Sequence, residues 1–158
     1  MQKITTYLWF DEQAEEAATF YTSLFADSRI LDVQRYPEGA PRPAGTAMSV
    51  TFELAGQRYI ALNGGPAHTF NEAISLFVDC ESQEEVDALW DRLTDGGEEG
   101  QCGWLKDRYG LSWQIIPRDL PELLSTPDPD AAGRVVQAML GMRKIEVRGL
   151  RDAAAAAS

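Results

Sequence analysis

One stretch, residues 100–117 with the sequence GQCGWLKDRYGLSWQIIP, holds the side chains best suited to chemistry or binding. It combines Trp104 and Trp113 with a thiol, Cys102, and an amide, Gln114. Aromatic rings around a few polar groups are typical of a small-molecule pocket. Tryptophans are also commonly buried, so the pair has two interpretations, as a pocket wall or as part of the core.

The same stretch predicts a β-hairpin. We expect strands from Cys102 to Arg108 and from Ser112 to Pro117, with Gly110 in the turn, because glycine readily adopts the positive φ of tight turns. Trp104 and Trp113 lie on different strands of this hairpin, and we expect them to pair across it.

Nucleophilic and acid–base chemistry have weaker support. Cys102 is followed by Lys106 and Arg108, but no histidine is placed to act as its base, which favours an inert thiol over a nucleophile. His68 is the only histidine and lies in a Gly/Pro/Asn-rich linker, which favours an exposed loop over a catalytic base. Asn63 begins that linker and either caps a turn or presents its amide to a ligand.

Composition argues against several classes of protein. The 158 residues are 44% hydrophobic and 25% charged, as in one ordinary globular domain. The net charge of −11 disfavours nucleic acid and anionic membranes as partners. No apolar run approaches the ~20 residues that span a bilayer, and residues 1–10 lack the features of a signal peptide. Two isolated cysteines, Cys80 and Cys102, are expected in a reducing cytoplasm.

The hairpin belongs to a plan of strand, helix and three strands that occurs twice. In the first half, apolar residues at helical spacing predict a helix that Asp11 or Glu12 caps. In the second half, Ser82 and Glu85 form a capping box before a helix. The predicted buried stripe of that helix is Val86, Leu89, Trp90 and Leu93. Besides the hairpin, the predicted strands are 4–10, 29–36, 46–54, 57–63, 73–78 and 98–102.

The two halves also resemble each other in sequence. LWFD at 8–11 followed by EEA at 15–17 matches LFVD at 76–79 followed by EEV at 84–86, with one residue inserted. Such a duplication indicates two half-sheets that close around a shared cavity. The predicted organisation is α+β, with a first βαβββ module at 1–65, a second at 66–118, C-terminal helices at 119–150 and a flexible tail at 151–158. Within the C-terminal segment we expect helices at 120–124 and 130–142, the second extended by 144–150.

The chain resembles the vicinal oxygen chelate superfamily, which includes glyoxalases, extradiol dioxygenases and bleomycin-resistance proteins. Within it, the chain is similar to the PhnB-like branch, often labelled demethylubiquinone methyltransferase-like. The stretches that carry the resemblance are ITTYLWFDEQAEEAATFYTSLF at 4–25, LNGGP at 62–66, FNEAISLFVDC at 70–80 and EEGQCGWLKDRYGLSWQIIP at 98–117. The resemblance implies a glyoxalase/bleomycin resistance fold, a cupped sheet from each half and a homodimer.

Enzymes of this superfamily hold a metal through ligands on the first and last strands of each half. Carried over by position, the resemblance places Thr6, Ala73 and Gln114 at three of these sites and residues 61–63 at the fourth. These side chains lack the imidazole, carboxylate and thiolate groups that such metals prefer. We therefore predict no metal and no cofactor. No Gly-rich turn leads from a strand into a helix, so a Rossmann-type adenosylmethionine site is not expected.

Alternation along the first strand places Thr6, Leu8 and Phe10 on one face, and Tyr7 and Trp9 on the other. With the resemblance, the first set lines the cup and the second packs beneath the helix. The full predicted ligand-binding set is Thr6, Leu8, Phe10, Asn63, Phe77, Cys102, Trp104, Trp113 and Gln114.

Three functions remain open on the sequence. The favoured one is a metal-free, dimeric, cytoplasmic protein that binds a small, partly apolar molecule. The alternative is an enzyme, either a methyltransferase, as the family label says, or a cofactor-independent lyase or isomerase. The third is a structural or regulatory dimer whose cup is filled by its own side chains.

Overall fold

The computed structural model of the protein describes residues 2–156. Contacts between residues divide the chain into two compact units, with the boundary between Phe70 and Asn71. This boundary lies at the end of the predicted linker. No helix among the described residues is long and apolar enough to cross a membrane.

The first unit contains one helix and a four-stranded sheet. Its elements are β1 (Thr6–Phe10), α1 (Ala14–Thr22), β2 (Arg29–Arg35), β3 (Ala47–Leu54) and β4 (Gln57–Asn63). The strand order is β1-β4-β3-β2, in which β1 pairs parallel with β4 and the other neighbours are antiparallel. The predicted strand, helix and three strands are thus confirmed for this half.

The first turn of α1 is capped from a distant strand. The Asn63 side chain, on β4, accepts a hydrogen bond from the Ala14 backbone N–H at 2.8 Å. No side chain at the start of the helix makes this bond, which corrects the prediction of a cap at Asp11 or Glu12. A cap of this kind is a tertiary contact, so local sequence does not reveal it.

The predicted orientation of β1 is wrong. Leu8 pairs with Ala61 and Phe10 with Asn63, and paired residues share a face of the sheet. Because Asn63 contacts α1, the face of Leu8 and Phe10 is the helix side, where both are 3% exposed. Tyr7 therefore lies on the opposite face, where it is 61% exposed. Alternation defines two faces, but only the packing of α1 decides which one is covered.

The second unit repeats this plan and adds helices. Its sheet has the order β5-β8-β7-β6, with the same parallel pairing of the first and last strands. Its elements are β5 (Ser75–Cys80), α2 (Gln83–Thr94), β6 (Glu98–Glu99), β7 (Trp104–Lys106) and β8 (Ser112–Pro117). The Ser82 hydroxyl caps α2 by accepting from the Glu85 N–H at 3.2 Å, as predicted. The predicted stripe of Val86, Leu89, Trp90 and Leu93 is buried.

The hairpin of β7 and β8 differs from its prediction in register. Trp104 pairs with Gln114, and Leu105 pairs with Trp113. The two tryptophans therefore lie on opposite faces and do not pair across the hairpin. β7 ends at Lys106, and residues 107–111 form a longer connection than predicted, in which Gly110 has the expected positive φ of 88°. The prediction of a tryptophan pair overlooked strand alternation, because positions 104 and 113 lie on opposite faces whenever Ser112 faces an even-numbered residue of the other strand.

The buried Asp107 carboxylate holds this connection in place. Its Oδ1 accepts from the backbone N–H groups of Tyr109 and Leu111, at 2.9 and 3.1 Å. Its Oδ2 accepts from the indole N–H of Trp113 at 2.9 Å. One side chain thus fixes both the turn and the buried tryptophan of the hairpin.

The chain continues as three helices, α3 (Asp119–Leu124), α4 (Pro129–Leu140) and α5 (Val147–Ala155). They enclose a buried cluster of Ile116, Leu120, Val135, Ile145 and Leu150. Helix α5 corrects the prediction of a flexible tail for 151–155, because Arg134 donates to the Ala153 and Ala154 carbonyls and Arg151 pairs with Asp119. The rest of the predicted tail, 157–158, lies outside the described residues.

Candidate functional site

In the second unit, three residues of the predicted binding set form one row. Phe77 on β5 pairs with Gln114 on β8, which pairs with Trp104 on β7. Their side chains therefore share a face of the sheet, which we call the Gln114 face. Phe77 is 58% exposed, and Gln114 and Trp104 are half-buried. Two aromatic rings thus flank one amide on a surface that the unit does not fully cover.

The next row of the Gln114 face is Ser75, Ser112 and Lys106. The Gln114 Nε2 donates to the Ser75 Oγ at 3.0 Å, so the amide orientation is fixed by its neighbour. Ser112 is only 1% exposed, and its Oγ has no hydrogen-bond partner among the described residues. A buried hydroxyl without a partner is unusual, because the loss of hydration is not compensated.

A cavity of about 260 Å³ opens beside this hydroxyl, with Trp104 and Ser112 in its wall. Glu72 and Lys106 form an ion pair at its edge. Their hydrogen bond raises the pKa of Lys106 and lowers the pKa of Glu72, so both stay charged over a wide pH range. The remaining lining residues are Glu98, Glu99, Gly100 and Leu105.

The two cysteines and Trp113 lie away from the Gln114 face. Cys102 is not on a strand, since its φ is 57°, and its thiol donates to the Met139 carbonyl at 3.5 Å. Trp113 is 1% exposed and belongs to the core, which favours the second interpretation of this tryptophan. Cys80 is fully buried, and burial raises the pKa of its thiol to about 12.

The predicted residues of the first unit do not form a comparable surface. Thr6 is exposed on β1, while Leu8 and Phe10 are buried on the helix side. Asn63 is 6% exposed, and both ends of its amide are hydrogen-bonded, the oxygen accepting from the Ala14 N–H and the nitrogen donating to the Ala47 carbonyl at 2.9 Å. Asn63 therefore caps helix α1, and not a turn of its own linker as one of the two sequence alternatives had it.

A larger cleft of about 610 Å³ lies beside the start of α1. Arg35 in its wall forms a bidentate ion pair with Glu15, at 3.0 and 3.3 Å. Its buried polar residue, Asn63, has its hydrogen bonds satisfied within the unit. We therefore favour the Gln114 face as the binding surface. The other lining residues are Glu12, Gln13, Glu16, Arg42, Pro43, Gly45, Thr46 and Ala47.

The single histidine is placed as the sequence favoured. His68 is exposed in the linker and contacts the Trp9 ring edge-on, with centroids 4.7 Å apart. The Trp9 indole N–H donates to the Gly65 carbonyl at 2.9 Å. These contacts give His68 a packing role in the linker.

The positions that hold metal in related enzymes do not fit a metal here. Thr6 offers a hydroxyl, Ala73 offers no donor and Gln114 offers a neutral amide already bonded to Ser75. No cluster of three or more histidine, cysteine or acidic side chains able to hold a metal occurs within 2–156. None of these three side chains is a ligand that Ni²⁺, Zn²⁺ or Fe²⁺ prefers.

Comparison with known proteins places the chain in a family. The model of the 3-demethylubiquinone-9 3-methyltransferase family matches residues 2–116, most of the chain. The chain belongs to this family. It is also 41% identical to a Bacillus cereus PhnB protein for which 3-demethylubiquinone-9 3-methyltransferase activity is suggested. That match covers 73% of this chain and 99% of the other, with a TM-score of 0.69.

More distant structures share the fold of this family. A Pseudomonas aeruginosa protein, PA1353, is 20% identical over 74% of this chain and 98% of its own, with a TM-score of 0.60. The fosfomycin resistance protein FosX of Listeria monocytogenes is 13% identical over 74% and 93%, with a TM-score of 0.50. No curated protein matches the chain. Family membership and fold together make this chain a vicinal oxygen chelate protein, as the sequence predicted.

Sequence reasoning missed two members of the Gln114 face, Ser75 and Ser112. Strand alternation carries the signal, because Ser112 lies two residues before Gln114 on the same strand. No sequence signal shows that the Ser112 hydroxyl lacks a hydrogen-bond partner, because a partner could come from any part of the fold.

Proposed function

We propose that the Gln114 face of this family member binds a small, partly apolar molecule without a metal ion. The observation that supports this proposal is the row of Phe77, Gln114 and Trp104 beside the unpartnered Ser112 hydroxyl. Apolar walls with few polar groups are the usual composition of a small-ligand site. A ligand that covers 100 Å² of this apolar surface gains about 2.5 kcal/mol.

Trp104 provides the direct test. A ligand on the Gln114 face changes the environment of this half-buried indole, so titration of a small-molecule library should change its fluorescence and raise the melting temperature. Trp104→Phe should remove the fluorescence response, and Gln114→Ala should weaken binding. Trp9→Phe is the matched control, because Trp9 lies in the other unit. A response lost in Trp9→Phe and kept in Trp104→Phe would move the site away from this face.

The metal-free state is tested separately. The side chains of Thr6, Ala73 and Gln114, none of which is a preferred ligand of these metals, support binding without a metal. We expect no increase in melting temperature with Ni²⁺, Zn²⁺ or Fe²⁺ and no stoichiometric metal in purified protein. A metal bound at one equivalent and lost in Gln114→Ala would overturn this part of the proposal.

A methyltransferase activity is the second candidate, because the family model matches most of the chain. The test is binding of S-adenosylmethionine, measured as a melting-temperature shift with S-adenosylhomocysteine as a second ligand. A clear shift with both compounds would favour this enzyme over a binding protein. No shift, with ligands found in the library titration, would favour the binding protein.

We also propose a cytoplasmic homodimer. Exposed apolar side chains in both units support self-association, among them Tyr7, Ile74 and Leu140 at 54–65% exposure. Two free cysteines, Cys80 and Cys102, support a reducing compartment. Light scattering or native mass spectrometry at micromolar concentration should give twice the chain mass, and a monomer mass would refute the dimer.

A further inference from the structure

The cavity beside Ser112 carries an excess of negative charge. Glu72, Glu98 and Glu99 line it, and Lys106 is its only cationic lining residue. Lys106 is paired with Glu72, and Glu99 accepts from the Trp90 indole at 2.6 Å. Glu98 forms no hydrogen bond and no ion pair within 4 Å among the described residues, although it is the cross-strand neighbour of Lys106 and its charge helps to raise the Lys106 pKa. The Glu98 carboxylate is therefore open to a further cationic partner.

The neutral groups of the cavity also favour a positively charged ligand. The Ser112 Oγ is buried in the wall and free to accept a hydrogen bond. The Trp104 ring also lines the cavity, and an indole face attracts a cation within about 6 Å of its centroid. A carboxylate, a hydroxyl acceptor and an aromatic face thus surround one small space.

We propose that the ligand of this cavity is an organic cation, a protonated amine with an apolar body. The ammonium group lies between Glu98, the Ser112 Oγ and the Trp104 ring, and the apolar body extends along the Gln114 face towards Phe77. This inference rests on the proposed function, because Trp104 belongs to both. The net charge of −11 adds a long-range attraction for cations.

An anionic ligand fits this cavity less well. The only lining cation, Lys106, already has a carboxylate partner in Glu72. An anion would have to displace Glu72 and would then lie beside Glu98 and Glu99. Like charges in close contact oppose binding.

Three matched probes test the inference: phenethylamine, 2-phenylethanol and 3-phenylpropionate, which are cationic, neutral and anionic at pH 7. Each is titrated into the full-length protein while tryptophan fluorescence and amide chemical shifts are recorded, and Trp104→Phe identifies the part of the response that comes from Trp104. We expect the affinity order amine, alcohol, carboxylate, with the preference for the amine reduced between low and high salt.

Charge-removing variants locate the contact. Glu98→Gln should weaken the binding of phenethylamine about two- to fivefold and leave the binding of 2-phenylethanol unchanged, as expected for one exposed carboxylate. Glu84→Gln is the matched control, because this substitution removes the same charge from an exposed position on α2 outside the cavity. If both variants weaken phenethylamine binding equally, the change in net charge explains the effect, and the inference is overturned.

The outcomes separate the inference from the proposed function. Equal or tighter binding of the alcohol or the carboxylate at this face overturns the cation preference and leaves small-molecule binding intact. Binding of none of the probes, together with no response of Trp104 to any library compound, overturns both.

Discussion

Replacement of Ser112 by alanine is predicted to stabilise the protein, against the usual direction of a buried substitution. Ser112 is 1% exposed and its Oγ has no hydrogen-bond partner among the described residues. An unsatisfied buried hydroxyl costs about 1–3 kcal/mol. Loss of its packing offsets part of the gain, so we expect Ser112→Ala to raise the free energy of unfolding by about 1 kcal/mol.

Ser75→Ala is the matched control, because Ser75 is the cross-strand partner of Ser112 and has the same side chain. Its Oγ accepts from the Gln114 Nε2 at 3.0 Å. Loss of one such hydrogen bond lowers the free energy of unfolding by about 1 kcal/mol. Two identical substitutions at paired positions should therefore change stability in opposite directions.

Urea unfolding followed by far-ultraviolet circular dichroism measures both changes. The midpoints should move apart without a change in slope, and the melting temperatures should differ from wild type by about 2–4 °C in opposite directions. The reasoning also predicts weaker phenethylamine binding by the more stable Ser112→Ala, because the hydroxyl contributes to the site and not to the fold.

A loss of 1 kcal/mol or more in Ser112→Ala would refute this reasoning. It would mean that the Ser112 hydroxyl is hydrogen-bonded in the folded protein, by an ordered water for example, and is not available to a ligand. A gain in both serine variants would instead refute the stabilising role assigned to the Gln114–Ser75 hydrogen bond.

Three further predictions concern the second unit. Gly133 lies in α4, and no atom lies within 4 Å of a Cβ added there, so Gly133→Ala should raise the free energy of unfolding by about 0.5–1 kcal/mol. At Gly103, φ is 85° and the Ile116 Cδ1 lies 2.7 Å from an added Cβ, so Gly103→Ala should lower the free energy of unfolding by more than about 2 kcal/mol. Thermal melts measure both changes. Gln83→Ala removes hydrogen bonds to the Ile145 carbonyl and from the Val147 N–H, at 2.9 and 2.7 Å, so hydrogen exchange of residues 144–155 should accelerate while residues 104–117 stay protected. Burial raises the pKa of the Cys80 thiol to about 12, so this thiol should resist alkylation in the native protein at pH 8 and react after unfolding. Peptide mapping of the alkylated protein measures the difference. Labelling of native Cys80 at the rate of a free thiol would contradict its burial.

The sequence was sufficient for the elements of the two βαβββ units and their order, but not for helix α5. Strands β4 and β8 have the predicted limits, Gln57–Asn63 and Ser112–Pro117, and the buried stripe and serine cap of α2 were predicted correctly. These features depend on side-chain periodicity and on contacts between residues close in the chain. The duplication, read from two short matching segments, correctly indicated the same succession of strand, helix and three strands in both units.

Tertiary structure alone decided which faces and which groups form the candidate site. Alternation separated Leu8 from Tyr7, but the packing of α1 determined that Leu8 is the buried one. The bonds of Asp107 fix the connection between β7 and β8, and that connection sets the register in which Trp104 lies opposite Gln114. Whether the Ser112 hydroxyl has a hydrogen-bond partner depends on all the residues that the fold brings near it. Local patterns set the conformation of a segment, whereas register and hydrogen-bond satisfaction depend on residues far away in the chain.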